Sequence, residues 1–340
     1  MAEPLLEVRD LKVHFPTMDG VVKAVDGVSF TVERGETLGV VGESGSGKSV
    51  TFLTIMGLIA RRAAKLEGEV IYQGRNLLEV SPDDMRAIRG SEISMIFQDP
   101  MTSLHPMYKV GDQIVEAIRA HRDVNKRDAM GMAVDLLRRV GIPAPEERSR
   151  QYPHEYSGGM RQRAMIAMAL SLDPDLLIAD EPTTALDVTV QAQIMELLER
   201  MKEEFNVGVV LITHDLGVIA DVADTVMVMY AGRGVEFGPK SHVFDKPLHP
   251  YAWGLLESIP VVGKRVDRLV PIEGSPPSLI NVPPGCPFHP RCPHRFEPCD
   301  KDRPDLIDRG GGHPDACHLT IPDKERLWMQ REEKRTVARA

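Results

Sequence analysis

The stretch that decides the fold runs from residue 37 to residue 49 and reads TLGVVGESGSGKS. Its first part, TLGVVG, is an apolar run typical of a buried strand, and GESGSGKS at 42–49 satisfies the eight-position phosphate-loop pattern. Glycines let such a loop curl until its backbone N–H groups converge on phosphate oxygens. We therefore expect a strand, a phosphate-binding loop and a helix that begins directly after Gly47.

Two side chains of this loop add charge and a metal ligand. Lys48 is predicted to bring positive charge to the β- and γ-phosphates, and the Ser49 hydroxyl to bind Mg²⁺. The alternative is a glycine-rich turn that carries a lysine by chance, but the flanking strand and helix patterns favour the phosphate loop. The residues predicted to bind nucleotide here are Gly42, Ser44, Gly45, Ser46, Gly47, Lys48 and Ser49.

A second apolar strand ends in two carboxylates. The letters LLIADE at 176–181 place Asp180 and Glu181 at the carboxyl end of a strand, where α/β sheets bind ligands. Asp180 is predicted to hold Mg²⁺, directly or through water, and Glu181 to polarise the attacking water as general base. Such an ending alone can also be an ordinary capped helix start.

The rest of the chain alternates between strand and helix patterns. Residues 5–42 are β-rich, 99–172 are mostly helical, and 176–232 alternate strand, helix, strand and strand. This order predicts an α/β fold with a mainly parallel sheet, interrupted by a helical block. After about residue 240 the sequence becomes rich in proline, with one more helical pattern at 249–260, and REEKRTVARA at the end resembles a solvated, frayed tail.

Composition limits the classes of function. The 340 residues are 42% hydrophobic and 27% charged, with a formal net charge of −9, which is typical of a globular protein and argues weakly against nucleic-acid binding. The chain begins with no secretory signal pattern and has no apolar run of about 18 residues, so we expect any membrane role to be peripheral.

The segment YSGGMRQR at 156–163 resembles the signature sequence of ABC ATPases. In that family a Ser-Gly-Gly turn at a helix N-terminus contacts the γ-phosphate bound to the partner subunit, which implies that role for Ser157, Gly158 and Gly159. The chemistry is suitable, since a hydroxyl, close backbone approach and the helix dipole all favour an anion. Tyr156 departs from the family's usual leucine, and we expect this to alter packing more than phosphate contact.

Four further positions resemble family elements in the same order. Gln98 matches the glutamine that touches Mg²⁺ or water, and Asp187, after Ala185 and Leu186, matches the loop that crosses the dimer interface. His214 resembles the switch histidine that contacts the γ-phosphate, and Phe15 the aromatic ring that stacks on adenine. Taken singly, a glutamine, histidine or aromatic ring at such places is as well explained by structure alone.

The resemblance spans about residues 5–240. It implies an ABC-type phosphate-loop ATPase core with an antiparallel N-terminal β-subdomain and an inserted helical subdomain at about 99–172, that is, a nucleotide-binding domain at 1–240 followed by a proline- and cysteine-rich extension at 241–340. It also implies ATP and Mg²⁺ as ligands and a head-to-tail dimer with two ATPs between the subunits.

Three shorter segments resemble the ATPase subunits of oligopeptide and dipeptide importers. QDPMTSLHP at 98–106, SGGMRQR and HPYAWGLLESIP at 249–260 carry this likeness. It implies a second, related ATPase, two permeases, an extracytoplasmic binding protein and a place at the cytoplasmic face of the membrane. Nickel, glutathione or an oligosaccharide as cargo, and a soluble ABC ATPase acting on DNA or ribosomes, remain as alternatives.

All four cysteines lie late in the chain, at Cys286, Cys292, Cys299 and Cys317. Their spacings are looser than the short knuckles usual in structural zinc sites. Some members of the importer group carry a 4Fe–4S cluster in this region, and the resemblance implies one here. Zinc, free thiols, and mixed ligation with His289, His294 or His318 stay open.

Overall fold

The computed structural model describes residues 3–184, 186–258 and 271–337. Ala185, the last two residues of the 249–260 segment and the last three of the C-terminal tail lie outside them. In chain order the elements are β1 (Leu6–Thr17), β2 (Gly20–Val32), β3 (Thr37–Val41), α1 (Lys48–Ile55), β4 (Lys65–Tyr72), β5 (Arg75–Asn76), α2 (Pro82–Ile88), β6 (Ile93–Ile96), α3 (Pro100–Ser103), α4 (Val110–His121), α5 (Lys126–Arg139), α6 (Pro145–Arg148), α7 (Gly158–Ala169), β7 (Leu176–Asp180), α8 (Val188–Phe205), β8 (Gly208–Ile212), α9 (Leu216–Val222), β9 (Thr225–Tyr230), β10 (Arg233–Pro239), α10 (Lys240–Asp245), α11 (Pro250–Glu257) and α12 (Ile321–Val337).

The chain forms two compact units. The first contains residues 72–212 with two short N-terminal pieces, and the second contains most of residues 7–71 together with 213–340. The C-terminal residues therefore share a unit with the N-terminal strands and the phosphate loop. The division at residue 240 expected from composition remains a prediction about domains.

The first unit is built on buried parallel strands. β7 pairs with β6 on one side and with β8 on the other, in registers that align Leu176 with Ile93 and with Gly208. Every residue of these three strands is buried, as expected for a sheet covered by helices. Because the strands are parallel and in register, their carboxyl ends lie along one edge of the sheet.

The helical block of the first unit follows the predicted pattern. The apolar spacing of VGDQIVEAIRAH, RDAMGMAVDLLRRVGI and GMRQRAMIAMALSL predicts three helices that start at residues 110, 127 and 159. α4, α5 and α7 start within one residue of these positions and pack against one another. The letters SPDD at 81–84 predict a helix start, and α2 begins there with the Ser81 side chain accepting a hydrogen bond from the Asp84 N–H.

The second unit contains the N-terminal sheet, in which β1 lies between β2 and β4, and a separate set of strands around β9. β9 pairs in parallel with β3 and antiparallel with β10. The antiparallel pair is a hairpin whose two turn residues, Ala231 and Gly232, both have positive φ, as a tight turn of this hand requires. The sequence pattern did not predict β10.

The C-terminal tail differs from expectation. Residues 331–337 are the end of α12 and not a frayed segment. The helix is anchored by Trp328, which is buried against Trp253 and Leu256, and by an ion pair in which Arg331 Nη1 lies 2.6 Å from Glu257 Oε2. Only a few apolar residues of this polar helix make the packing contacts. The composition of the tail therefore did not predict a packed helix.

Charged side chains are buried in the second unit at Lys324 of α12, at Asp315 and at Glu236 of β10. Lys324 Nζ lies 2.5 Å from Asp315 Oδ2, and both side chains are essentially inaccessible. Arg309 donates to the other oxygen of the same carboxylate at 2.6 Å. Glu236, also fully buried, accepts hydrogen bonds from the N–H groups of Leu248 and His249, each at 2.8 Å.

None of the helices in the described part of the chain combines the length and the apolar composition that crossing a membrane requires.

Candidate nucleotide site and cysteine cavity

The carboxylate of Glu181 is held by two neighbours at the carboxyl edge of the sheet. Gln98 Nε2 donates to Glu181 Oε2 at 2.8 Å, and the Thr184 hydroxyl donates to the same oxygen at 2.9 Å. The backbone N–H of Glu181 donates to the carbonyl of Ile212 in the next strand, also at 2.8 Å. Gln98 and Glu181 are thus in direct contact. In the sequence, only the family resemblance connected Gln98 with this site.

Glu181 also adopts an unusual backbone conformation. Its φ is 48°, a left-handed value that residues other than glycine, asparagine and aspartate rarely adopt. Such strain costs on the order of 1 kcal/mol and is found where a side chain must be aimed in a particular direction. The preceding residue, Asp180, ends β7 and is buried.

The apolar run EISMIFQ at 92–98 predicts a strand that ends at Gln98, and the observed boundary differs. Gln98 does not end β6, because the strand stops at Ile96 and Gln98 lies two residues beyond it, exposed. The sequence EISMIFQ continues to look apolar through Phe97, but that ring is itself 39% exposed. The backbone has left the sheet there, which lets the Gln98 amide turn toward Glu181.

The phosphate loop has the conformation that its glycines permit. Gly42 and Gly47 have φ values of 153° and 99°, and a Cβ atom on them would lie 2.2 Å from the Met229 carbonyl oxygen and 2.3 Å from that of Ala24. Any side chain at these two positions would therefore displace backbone. α1 begins at Lys48, as predicted.

Lys48 points into its own loop. Its Nζ donates to the carbonyl of Gly42 at 2.7 Å and to that of Glu43 at 3.1 Å, and the side chain is buried. Ser44 and Gly45, at the tip of the loop, are exposed. The ammonium thus lies inside the ring of backbone that the pattern predicts will surround phosphate.

The Ser-Gly-Gly turn begins α7. The Ser157 side chain caps this helix by accepting a hydrogen bond from the Met160 N–H at 3.3 Å. A Cβ on Gly159 would lie 2.9 Å from a methyl group of Val190, in the first turn of α8, so this glycine is required for close helix packing. Asp187 caps α8 by accepting from the Val190 N–H at 3.0 Å.

Tyr156 contributes packing, as expected. The ring is buried and its hydroxyl donates to the carbonyl of Arg148 at 2.9 Å. Burial raises the pKa of Tyr156 to about 12, so the phenol stays protonated. The tyrosine connects the turn before α7 to the end of α6.

The two remaining candidates belong to the second unit. His214 follows β8 and is exposed, next to Asp215, which caps α9. Phe15 lies near the end of β1 and is half-buried, and the neighbouring His14 bonds Asp26 at 3.1 Å. Both positions leave the side chain accessible, and their roles toward nucleotide stay predictions.

Two family models match the chain. The model described as ABC transporter covers residues 25–184, and the model described as oligopeptide/dipeptide transporter, C-terminal region, covers residues 235–299. The dipeptide transport ATP-binding protein DppD of Bacillus subtilis is 52% identical over 318 residues, 93% of this chain and 95% of that protein. The oligopeptide transport ATP-binding protein OppD of Salmonella typhimurium is 52% identical over 95% of this chain and 96% of its own length.

The chain belongs to the ATP-binding subunits of ABC transporters. The solved dimeric structure of the ATP-binding cassette MJ0796, bound to ADP and Pi, covers 69% of this chain with a TM-score of 0.62 and 26% identity. CbiO1 of Clostridium perfringens, part of an ABC transporter complex, covers 72% with the same TM-score and 28% identity. The predicted fold class and ATPase activity are confirmed, and membership of this family implies ATP and Mg²⁺ as ligands.

The four cysteines of this ABC subunit come together. All of them line one small cavity in the C-terminal extension, which His289, His294 and His318 also line. None of the four forms a disulfide bond with another residue of the described chain. Burial raises the pKa of Cys286, that of Cys292 to about 11 and that of Cys317 to about 12, so these thiols are protonated at neutral pH unless a cation binds them.

The cavity fits a metal cluster in its donor type but not in its observed arrangement. Four thiols face one space from different parts of a 32-residue stretch, which is the donor set that a cluster requires. However, among the described residues no three histidine, cysteine, aspartate or glutamate side chains are grouped so that they could hold a metal ion. The predicted 4Fe–4S cluster therefore stays a prediction, based on donor type alone.

Two features of the site were missed by sequence reasoning. The Thr184 hydroxyl donates to the same Glu181 oxygen as the Gln98 amide. In the sequence, only the position of Thr184 three residues after Glu181 could have suggested this contact. Glu43, within the phosphate loop, bonds Tyr251 and Arg291, which lie 208 and 248 residues away along the chain. No spacing rule predicts contacts across such a distance.

Proposed function

We propose that this chain is the ATP-hydrolysing motor of an importer for dipeptides or oligopeptides. The observation that carries the proposal is the 52% identity to DppD and OppD over more than nine tenths of the chain, which includes the C-terminal region as well as the ATPase core. The cargo is the part that rests on these relatives. Nickel, glutathione or an oligosaccharide remains the second candidate.

In the proposed cycle each catalytic residue has one task. Lys48 and Ser49 bind the phosphates and Mg²⁺, Asp180 holds the metal, and Glu181 accepts a proton from the attacking water. Gln98 supports this carboxylate, a role favoured by its 2.8 Å hydrogen bond. Phe15 would stack on adenine, His214 would contact the γ-phosphate, and Ser157, Gly158, Gly159 and Asp187 would serve the partner subunit's nucleotide.

The assembly proposed from family likeness contains a second, related ATPase, two permeases and an extracytoplasmic binding protein, with this chain at the cytoplasmic face. Closure of two ATPase subunits on ATP would move the permeases, and hydrolysis would reset them. The division into a nucleotide-binding domain at 1–240 and an extension at 241–340 belongs to the same proposal.

Uptake by a strain that carries Glu181→Gln tests the cargo. The variant should abolish ATP-dependent accumulation of labelled dipeptides and oligopeptides, because cargo movement requires hydrolysis, while the strain with the unaltered chain accumulates them. Nickel and glutathione uptake measured in parallel should not change. Loss of nickel or glutathione uptake with intact peptide uptake would reassign the cargo, and ATPase stimulation by DNA or ribosomes instead of permeases would favour the soluble class.

We also propose the 4Fe–4S cluster as the occupant of the cysteine cavity, supported by the four thiols that line it. Protein purified without oxygen should absorb broadly near roughly 400 nm, as thiolate-bound clusters do. The absorbance should disappear in a variant that replaces Cys292 and Cys317 by serine. Colourless protein that contains zinc, or no metal, would reject the cluster in favour of one of the other two states.

A further inference from the structure

The phosphate loop is tied to the C-terminal extension through Glu43. Arg291 donates two hydrogen bonds to this carboxylate, from Nη1 to Oε2 at 2.6 Å and from Nη2 to Oε1 at 3.0 Å. The backbone N–H of Glu43 donates to the Tyr251 hydroxyl at 2.8 Å. A loop that must surround phosphate is thus held at its second residue by a bidentate ion pair and a third hydrogen bond.

The guanidinium of Arg291 is also held by contacts other than Glu43. Its side chain is only 5% exposed, and its Nε and Nη2 donate to the carbonyls of Glu273 and Ile272 at 2.9 and 3.2 Å. Its carbon lies 5.9 Å from the centre of the Tyr230 ring and 6.0 Å from that of Phe288. A guanidinium held in this way loses little conformational freedom when it binds a carboxylate.

The charges of Arg291 and Glu43 suggest what this ion pair does for nucleotide binding. Glu43 brings a negative charge into a loop that receives a polyanion, and a free carboxylate at that place repels phosphate. We propose that Arg291 is a positioning residue for nucleotide binding, which neutralises Glu43 and holds its carboxylate away from the phosphates. This inference concerns nucleotide affinity and holds whatever the cargo is.

Equilibrium binding of a non-hydrolysable ATP analogue tests the proposal with three variants. Arg291→Met should weaken binding about tenfold, because it leaves the Glu43 carboxylate free to face the phosphates. Glu43→Gln removes the clamp and the repulsion together, so it should change the affinity by about threefold or less. The double variant should recover most of the loss and bind within about threefold of Glu43→Gln.

This rescue separates positioning from a structural role. If Arg291 only fastened the extension through Ile272 and Glu273, removing the Glu43 charge would not restore affinity. A double variant as weak as Arg291→Met, or wild-type affinity in Arg291→Met, therefore overturns the proposal. The KM for ATP should rise in Arg291→Met while kcat stays within about twofold, and the defect should shrink at high salt.

One further variant serves as the control, and another replaces Arg291→Met if that variant does not fold. Arg331→Met removes another arginine of the extension, one paired with Glu257 and placed over Trp253, and should leave nucleotide affinity unchanged. If Arg291→Met does not fold, Arg291→Lys keeps the charge and loses the bidentate pair, and should weaken binding about threefold. Failure of Glu43→Gln to restore affinity in that background overturns the proposal equally.

Discussion

Glu181→Gln is expected to lower ATP turnover by about 10²- to 10⁴-fold, the range associated with a lost general base. Glutamine has nearly the same size and keeps an oxygen that can accept from Gln98 and Thr184, so the local structure should persist. It cannot accept a proton from water at neutral pH. ATP binding should remain within a few-fold of wild type, because the phosphate loop is untouched.

The same variant should also form a stable dimer with ATP. Light scattering after size-exclusion chromatography, with and without Mg-ATP, measures this, either with the variant alone or together with its related ATPase subunit. Thr184→Val is the matched control, since it removes one donor to Glu181 and keeps the carboxylate, so it should lower turnover by about tenfold or less. Unchanged turnover in Glu181→Gln would remove the residue from the proposed role.

Sequence reasoning succeeded where local chemistry decides the structure. The phosphate loop, the strand that ends at Asp180 and the helix that begins at Gly158 are all specified by residues within a few positions of one another. Glycines with forced positive φ and strands buried on both faces leave a strong pattern in a short stretch. The elements that carry these motifs were therefore predictable.

Contacts between distant segments were not predictable in the same way. The clamp between Arg291 and Glu43, and the packing of α12 through Trp328, depend on how the extension folds back within its unit. The composition of a proline-rich segment says little about that path, since turns and irregular loops have no periodicity. The cysteines show both outcomes. Their number and late position in the sequence predicted that they come together, but did not determine what they bind.

Lys324→Met is expected to destabilise the C-terminal extension by about 3 kcal/mol. The substitution keeps much of the side-chain volume but leaves Asp315, 1% exposed, without the ammonium that lies 2.5 Å from its oxygen. Arg309 remains on the other oxygen, but its side chain is 34% exposed and compensates only in part. A buried carboxylate that is only partly compensated either bears a desolvation cost or takes up a proton.

The tryptophans make this measurable. The chain contains two, Trp253 and Trp328, and their rings lie 6.3 Å apart beside α12, so urea unfolding followed by fluorescence reports on the extension itself. Lys301→Met, at a lysine that is 63% exposed and paired with Glu297, should change stability by about 0.5 kcal/mol or less. Adding Asp315→Asn to Lys324→Met should restore part of the loss, because the neutral amide no longer needs a cation. Equal effects of Lys324→Met and Lys301→Met would show that the buried pair contributes no more to stability than a surface pair does.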